Sequence, residues 1–327
     1  MPLGVGLGRR GEPRSGSQDT RRADRFHEGL ETAVNGAAPD VPGRWRDRRP
    51  GMVQVDEAED GAVARVRLPG GRLLPSQMAA LADAAACGSG VVDLTACANV
   101  QLHGVRSPGE LAVRLGAAGL LTHGPVGNIV ASPLAGRHPT ASIDADDLVA
   151  ALDRGLCADR ALARLPGRFL FAVEDGSGAV AGLDHDVLLT PDGDDIALVL
   201  AGFDTGLRAA ATGGPGLALA AARAFLAVAG DATRMHQIPS LTRDREPWIP
   251  PRTTVIAPGI TRQRDGRVAV TALAPLGRVE VAQLRGLAAL GADVRVSPWR
   301  TITLVDRPDA TVADDLDRLG FVLATSS

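Results

Sequence analysis

An internal repeat is the feature of this sequence that most constrains how the chain can fold. The segment that begins at Asp60, DGAVARVRLPGGRLLPSQMAALA, returns at Asp265 as DGRVAVTALAPLGRVEVAQLRGLA, with small insertions. Both copies open with Asp-Gly and run through a strand pattern, a turn with Pro and Gly, and a Gly-Arg pair to a Gln before a helix. Because these features agree in the same order, we interpret the two segments as a duplicated unit rather than as a chance similarity of Ala-rich pieces.

Each copy has the pattern of a small α+β unit. In the first copy, residues 62–68 alternate apolar and polar side chains, which is typical of a half-buried strand, and a turn at 69–71 ends it. Ser76 is a candidate N-cap for a helix whose apolar residues have helical spacing, at Met78, Leu81, Ala82 and Ala85. The segments VVDLTA and ELAVRLGAAGL then predict a second strand and a second helix around an antiparallel sheet.

The repeat divides the chain into four parts. We predict a disordered Arg/Gly-rich arm at residues 1–50, a first unit at 51–124, a different central module at 125–250 and a second unit at 251–327. The central module contains a hairpin-like pair, DVLLT and IALVLAG, followed by an Ala-rich helix. Two related units that flank a third module predict a binding cleft where the parts meet.

Charge and composition exclude several classes of function. The formal net charge is −3, so neither a nucleic acid nor an anionic membrane is an expected partner. All 35 basic residues are Arg, and without Lys the chain has no Schiff-base amine and no P-loop lysine. No apolar run reaches the roughly 18 residues of a membrane span, and the N-terminus lacks an apolar signal segment. We expect a cytoplasmic protein.

The cysteines and histidines do not form a metal-binding pattern. Cys87, Cys97 and Cys157 are scattered, which fits neither a disulfide framework nor a zinc ribbon. Three thiolates alone cannot complete a four-cysteine iron–sulfur cluster. The six histidines show no ligand spacing, so we expect no metal site in this chain.

Six motifs taken together resemble those of the nitrite/sulfite reductase superfamily, and most of all its precorrin-3B synthase branch from cobalamin biosynthesis. They are RVRLPGGRL, LTACANVQLHG, NIVASPLAG, LPGRFLFAVEDG, LAPLGR and SPWR. The resemblance implies an α+β fold in which two ferredoxin-like half domains, related by the internal repeat, flank one core half domain of the sirohaem/4Fe-4S type. In the superfamily a second core half carries the cysteines of the cluster, and the resemblance implies that this sequence lacks it.

The resemblance also implies a set of tetrapyrrole-binding residues. They are Thr95, Asn99, Gln101, Asn128, Arg168, Trp299 and Arg300.

Three positions depart from the superfamily pattern. Cys97 stands where the signature T-x-R-x-N-x-Q has an Arg, and Gly127 stands where a second anion-binding Arg precedes the Asn. A thiol cannot replace the bidentate contact of a guanidinium with a carboxylate. Leu170 stands where the reductases have a Lys, which argues against sulfite or nitrite as the substrate.

Two functions therefore follow from the sequence. The first is a precorrin-3B synthase-like oxidoreductase that uses a 4Fe-4S cluster, with sirohaem in the reductases, and whose isolated chain is impaired unless a second polypeptide supplies the missing core half. The alternative is a non-enzymatic protein that binds a precorrin-like tetrapyrrole or a partner, or a truncated gene product. No residue is assigned a catalytic role.

Overall fold

The computed structural model describes residues 54–56, 62–121, 127–242 and 245–323. The arm predicted at residues 1–50 lies outside these ranges. The strands of the described chain are β1 (Gln54–Asp56), β2 (Ala62–Val66), β3 (Arg72–Leu73), β4 (Val91–Leu94), β5 (Val100–Val105), β6 (Asn128–Ala131), β7 (Leu170–Val173), β8 (Val187–Asp192), β9 (Asp195–Leu200), β10 (Phe203–Ala210), β11 (Gly259–Arg262), β12 (Val268–Leu273), β13 (Arg278–Glu280), β14 (Val294–Val296) and β15 (Thr301–Arg307).

Helices alternate with these strands, and short 3-10 turns link some of them. No helix of the described chain is both long and apolar enough to cross a membrane. The 3-10 turns lie at Pro69–Gly71, Arg160–Arg164, Met235–Gln237 and Pro275–Gly277. The helices are α1 (Pro75–Ala86), α2 (Pro108–Ala117), α3 (Ala145–Ala158), α4 (Gly214–Val228), α5 (Pro239–Thr242), α6 (Val281–Ala289) and α7 (Val312–Arg318).

The two repeat units form antiparallel sheets that exchange one strand each. The first sheet has the order β1-β2-β5-β4-β13 and the second β11-β12-β15-β14-β3, so the last strand of each sheet comes from the other unit. Helices α1 and α6 pack against each other, and one hydrophobic core runs through both units. The predicted α+β fold with two half domains related by an internal repeat is confirmed.

Both half domains begin their first helix with the same contact. The Gln77 side chain accepts a hydrogen bond from the Leu74 amide at 3.0 Å, and Gln283 accepts one from the Glu280 amide at 2.8 Å. In the first half domain the helix therefore begins directly after Leu74, which takes the N-cap position. The prediction that Ser76 is the N-cap is wrong, because the glutamine caps the helix from inside its first turn.

Between the half domains lies a third sheet, which forms the core half domain. Its order is β10-β9-β8-β7-β6, with β6, β7 and β8 parallel and the remaining pairs antiparallel. The predicted hairpin is β8 and β9. One face of the sheet is covered by α3 and α4, whose apolar side chains form a second core with Phe169, Phe171 and Phe225 at its centre.

The other face of this sheet is covered by no helix of the described chain. Its apolar side chains contact Ala98 and Cys97, which come from the loop between β4 and β5 of the first half domain. The first half domain therefore packs directly on the core half, and the sheet face continues beyond this contact. The apolar side chains of that face are Val130, Leu170, Ala172, Leu188 and Val199.

Charged contacts join the core half to the second half domain. Arg295 in β14 is fully buried and pairs with both carboxylate oxygens of Asp146 in the first turn of α3, at 2.5 and 2.6 Å. Arg137 makes a similar two-atom contact with Asp306, at 2.8 and 2.9 Å. Burial alone would raise the pKa of Asp146, but the hydrogen bonds and charge of Arg295 outweigh it and hold that pKa below its ordinary value.

Candidate functional site

A cleft of about 330 Å³ opens between the first half domain and the core half. The half domain contributes strand β2, the β4–β5 loop and strand β5, and the core half contributes the start of β6 and the segment before β7. The polar side chains that line it are Arg65, Arg67, Thr95, Cys97, Asn99, Gln101, Asn128, Arg168, Asp184 and Arg234.

The β4–β5 loop is a tight turn built around one hydroxyl. The Thr95 Oγ1 atom accepts hydrogen bonds from the amides of Cys97 at 3.3 Å and Asn99 at 3.1 Å. The Thr95 amide donates in turn to the Asn99 carbonyl at 2.9 Å, and Ala98 takes a left-handed φ of 55°. This turn fixes the backbone from which Cys97 and Asn99 reach the wall of the cleft.

Two asparagines join the half domain to the core half at the floor of the cleft. The Asn99 Oδ1 atom accepts from the Leu68 amide at 2.8 Å, and its Nδ2 atom donates to Asn128 Oδ1 at 2.9 Å. Arg67 donates a second hydrogen bond to the same Asn128 oxygen. Since Asn99 and Asn128 are both buried, these bonds hold the two parts in one relative position.

Asn128 also fixes the segment that carries Arg168. Its Nδ2 atom donates to the carbonyls of Gly167 at 2.8 Å and Phe169 at 3.1 Å, the two neighbours of Arg168. The Arg168 side chain is exposed at the cleft and makes no hydrogen bond or ion pair with any other described residue. A positioned guanidinium without a partner in the described chain is suited to bind an anion.

Three further arginines give the cleft a positive charge. Arg234 pairs with the buried Asp186 at 2.9 Å and with the exposed Asp184 at 3.1 Å, while Arg65 and Arg67 come from the first half domain. None of these three residues is among those that the sequence predicts for the site. The alternation Arg65-Val66-Arg67 on one strand is a signal for two cations on one face, whereas Arg234 has no local signal because it reaches the cleft from a distant 3-10 turn.

Cys97 is the only thiol among the residues that line this cleft. Burial raises the pKa of the Cys97 thiol, although the charges of Arg67, Arg234, Arg168 and Arg65 oppose this effect. The thiol is therefore protonated at neutral pH, and a protonated thiol is a weak nucleophile. We assign it no catalytic role.

The structure brings together five of the seven predicted tetrapyrrole-binding residues and places two elsewhere. Trp299 and Arg300 do not line the cleft; they lie in the β14–β15 loop of the second half domain. The departures from the superfamily pattern also lie at the cleft or behind it, with Leu170 in its wall and Gly127 buried beside Asn128. The five residues that the cleft contains are Thr95, Asn99, Gln101, Asn128 and Arg168.

The β14–β15 loop repeats the turn that forms the cleft wall. The Ser297 Oγ atom accepts from the amides of Trp299 at 3.2 Å and Thr301 at 3.3 Å, and Arg300 has a left-handed φ of 60°. Trp299 thus occupies the position that Cys97 has in the first half domain. The internal repeat explains why the superfamily motif that contains Trp299 and Arg300 lies in a loop that is separate from this cleft.

The cysteines of the described chain do not fit a 4Fe-4S cluster. Cys87 is exposed at the end of α1, Cys97 lies in the cleft and Cys157 lies in α3. No three His, Cys, Asp or Glu side chains among the described residues are grouped so that they could hold a metal ion.

Comparison with known proteins gives the class of fold. The profile of the nitrite/sulfite reductase ferredoxin-like half domain matches residues 56–108. The structure of the Mycobacterium tuberculosis NirA protein superposes with a TM-score of 0.69 at 20% sequence identity, over 94% of this chain and 70% of that one. A search of curated protein sequences found no match.

The predicted resemblance to the nitrite/sulfite reductase superfamily is therefore confirmed. Its half-domain profile covers residues 56–108 of the first repeat unit, which supplies half of the residues that line the cleft, and the chain has the fold of NirA. The narrower resemblance to the precorrin-3B synthase branch stays a prediction.

Proposed function

We propose that this chain binds a precorrin-like, anionic tetrapyrrole in the arginine-lined cleft, as a precorrin-3B synthase-like protein of cobalamin biosynthesis. The observation that carries the proposal is the group of four guanidinium groups, from Arg65, Arg67, Arg168 and Arg234, around one cleft. Biosynthetic tetrapyrroles carry several carboxylates at the rim of a flat ring. The carboxylates along one edge of the ring would bind in the cleft. The rest of the ring would lie over the exposed surface of the first half domain.

The residues of the cleft would have different roles in binding the tetrapyrrole. Arg168 has no partner in the described chain and is held by its backbone, so it forms the strongest contact with a carboxylate. Asn99 and Asn128 keep the half domain and the core half at a fixed separation, which sets the distance between the arginines of the two walls. Gln101 offers a neutral donor and acceptor on the same wall.

A binding role without a redox step is the second candidate function. The dispersal of Cys87, Cys97 and Cys157 favours it, because the described residues do not fit the iron–sulfur cluster on which precorrin-3B synthase-like oxidoreductases depend. In an oxidoreductase the cluster would come with a second polypeptide, and this chain would bind and orient the tetrapyrrole.

Titration with uroporphyrin, an octacarboxylate, tests the binding proposal. We expect Arg168→Gln to weaken binding by about 10- to 100-fold, since a charge-assisted hydrogen bond contributes about 1.5–3 kcal/mol. Arg262→Gln is the matched control, because Arg262 is exposed on strand β11 away from the cleft. The octamethyl ester of the same porphyrin should bind poorly. Equal affinities of the two variants, or of the acid and the ester, would refute the proposal.

Iron and acid-labile sulfide, measured after anaerobic purification of the chain from its native cells together with any bound polypeptide, separate the two candidates. We expect less than one cluster per chain. Stoichiometric iron and sulfide would contradict the binding-only role and support the oxidoreductase, with ligands shared between chains.

A further inference from the structure

One carboxylate lies among the four arginines of the cleft. Of the described residues that line the cleft, Asp184 is the only acidic one. Its side chain is 79% exposed and forms an ion pair with Arg234, whose Nη1 atom lies 3.1 Å from the Asp184 Oδ2 atom. A negative charge at this place opposes the binding of an anion, whereas the arginines around it favour that binding.

The other contacts of Arg234 hold its guanidinium in place without this carboxylate. The Arg234 Nε atom donates to both oxygens of Asp186, at 3.0 and 2.9 Å, and its Nη2 atom donates to the Asp184 carbonyl at 2.8 Å. The Asp186 carboxylate is buried and also accepts from the amides of Leu170 and Met235, at 2.8 and 2.6 Å. The Asp184 side chain therefore adds one exposed contact to a guanidinium that is already fixed at its other nitrogen atoms.

The backbone beside Asp184 is fixed, which leaves the side chain as the part that can move. The Leu183 amide donates to the Val180 carbonyl at 3.1 Å, and the Leu183 carbonyl accepts from the His185 amide at 3.0 Å. An exposed ion pair contributes little to stability, because water competes for both charges. The Asp184 carboxylate can therefore leave Arg234 at a small cost by changing its rotamer, and the Nη1 atom then faces the cleft without a carboxylate.

We propose that Asp184 is an internal competitor of the ligand. Before a ligand binds, the Asp184 carboxylate occupies the place on Arg234 Nη1 that a carboxylate of the tetrapyrrole takes, and it turns towards solvent when the ligand binds. The exchange of one carboxylate for another keeps this guanidinium paired in both states. Its consequence is a lower affinity, because each binding event must break the internal ion pair. The inference rests on the proposed function, since it concerns the same cleft.

A structural role and a competing role predict opposite results when the Asp184 carboxylate is removed. If the ion pair served to order the cleft, its loss would leave Arg234 less well placed, and the ligand would bind equally well or more weakly. If Asp184 competes with the ligand, Arg234 stays in place through its contacts with Asp186, and its Nη1 atom becomes available to a ligand carboxylate. The ligand would then bind more tightly, so affinity decides between the two roles.

Titration of Asp184→Asn with uroporphyrin tests the competition, because this change removes the charge and keeps the size of the side chain. We expect binding about two- to fivefold tighter than that of the wild-type chain, the range that corresponds to the loss of an exposed ion pair. Asp194→Asn is the matched control: it removes the same charge from an exposed residue in the β8–β9 turn, at the other end of β8, and should leave the affinity unchanged. An Asp184→Asn variant that binds no more tightly than this control would overturn the proposal.

A second variant separates direct competition from a general effect of charge. Combined with Arg234→Gln, the change Asp184→Asn should give no gain in affinity, since the guanidinium for which it competes is absent. A gain of the same size in both backgrounds would overturn direct competition. If Arg234→Gln fails to fold, because Asp186 is buried and loses its partner, the crystal structure of the wild-type chain with uroporphyrin decides. There the Asp184 carboxylate should lie beyond hydrogen-bond distance, about 3.5 Å, from Arg234 Nη1, and an ion pair that persists beside the bound porphyrin would overturn the proposal.

The same titrations distinguish this inference from the proposed function on which it rests. A wild-type chain that binds no uroporphyrin would refute both. Binding by the wild-type chain, with no gain in Asp184→Asn, would refute the competition alone and leave the proposed function standing.

Discussion

The first and second half domains share three local backbone structures, and they differ in the side chains that lie on those structures. Both have the glutamine at the start of the helix, the 3-10 turn and the hydroxyl-centred loop. At equivalent positions of the repeat, however, the residues differ: Arg67 corresponds to Leu273, Cys97 to Trp299 and Gly70 to Leu276. The comparison shows that the duplication has kept the main-chain structure. The outer surface forms a cationic cleft wall in the first half domain and exposes apolar side chains in the second.

One pair of matching positions also explains how the core half is attached. Asp93 in β4 corresponds to Arg295 in β14, counted from the hydroxyl residue of each loop. Asp93 is partly exposed and pairs with Arg278 at 3.2 Å, whereas Arg295 is fully buried against Asp146. Removing the partner of a buried charge destabilises a protein far more than removing the partner of an exposed charge.

The largest effect on the free energy of unfolding should come from removing the buried charge of Arg295. Arg295→Met leaves Asp146 without its main partner, and we expect a loss of about 3–5 kcal/mol in the free energy of unfolding. Asp93→Asn removes only partly exposed ion pairs and should cost less than about 1 kcal/mol. Urea denaturation of both variants measures the difference; similar costs would show that the two sites are equivalent after all.

The next effect concerns the residue that ends each loop, Asn99 in the first half domain and Thr301 in the second. Asn99→Ala leaves the buried Leu68 amide without its acceptor and removes one of the two hydrogen bonds to Asn128 Oδ1, so it should cost about 1–3 kcal/mol. Thr301→Val removes the 2.6 Å hydrogen bond with the Ser297 hydroxyl and should cost about 1 kcal/mol. Uroporphyrin binding should fall only for the Asn99 variant, and a parallel fall for Thr301→Val would contradict the location of the cleft.

The helix starts should behave alike, since they are the most similar part of the two half domains. Gln77→Ala and Gln283→Ala each remove a contact with a backbone amide and one with a carbonyl, at Ala118 and Leu319. We expect each to cost about 1 kcal/mol, as for other helix caps. Thermal or urea unfolding of both variants checks this, and a cost confined to one half domain would argue against equivalent roles.

The smallest effect on the free energy of unfolding should appear at acidic pH. Ion pairs hold the pKa values of Asp146 and Asp306 below the ordinary value of an aspartate. Their contribution to stability is therefore complete above the unfolded-state pKa of about 4 and is lost as the pH falls through the lower, folded-state pKa. Urea unfolding at pH 7, 5 and 3 should show this loss, and Asp146→Asn should make the decline between pH 5 and 3 shallower. An unchanged decline would assign the acid sensitivity to other groups.

The sequence predicts the parts of the fold that depend on neighbouring residues. The repeat, the antiparallel units and the β8–β9 hairpin follow from local patterns, and the motif residues Thr95, Asn99 and Asn128 do meet in one cleft. The exchange of β3 and β13 could not be predicted, because these strands have two and three residues and pair with partners about 200 residues away.

The side chains that sequence reasoning missed depend on distant parts of the chain. Arg234 lines the cleft only because the core half folds back on itself, with its guanidinium on Asp186. The buried position of Arg295 is likewise invisible in sequence, since an arginine on a strand is normally expected at the surface. Burial of such a charge depends on a partner, Asp146, in the first turn of helix α3 of the core half.

The exchanged strands impose an order on biosynthesis. While the chain emerges from the ribosome, the first sheet has no partner for the edge of β4 until residue 280 has left the exit tunnel, after the whole core half has been made. Multidomain chains usually fold one unit after another from the N-terminus, and here the core half is the first unit able to finish. The N-terminal half domain must wait beside it with an open edge, which makes this interval the period when a nascent chain is most exposed to aggregation and to chaperones.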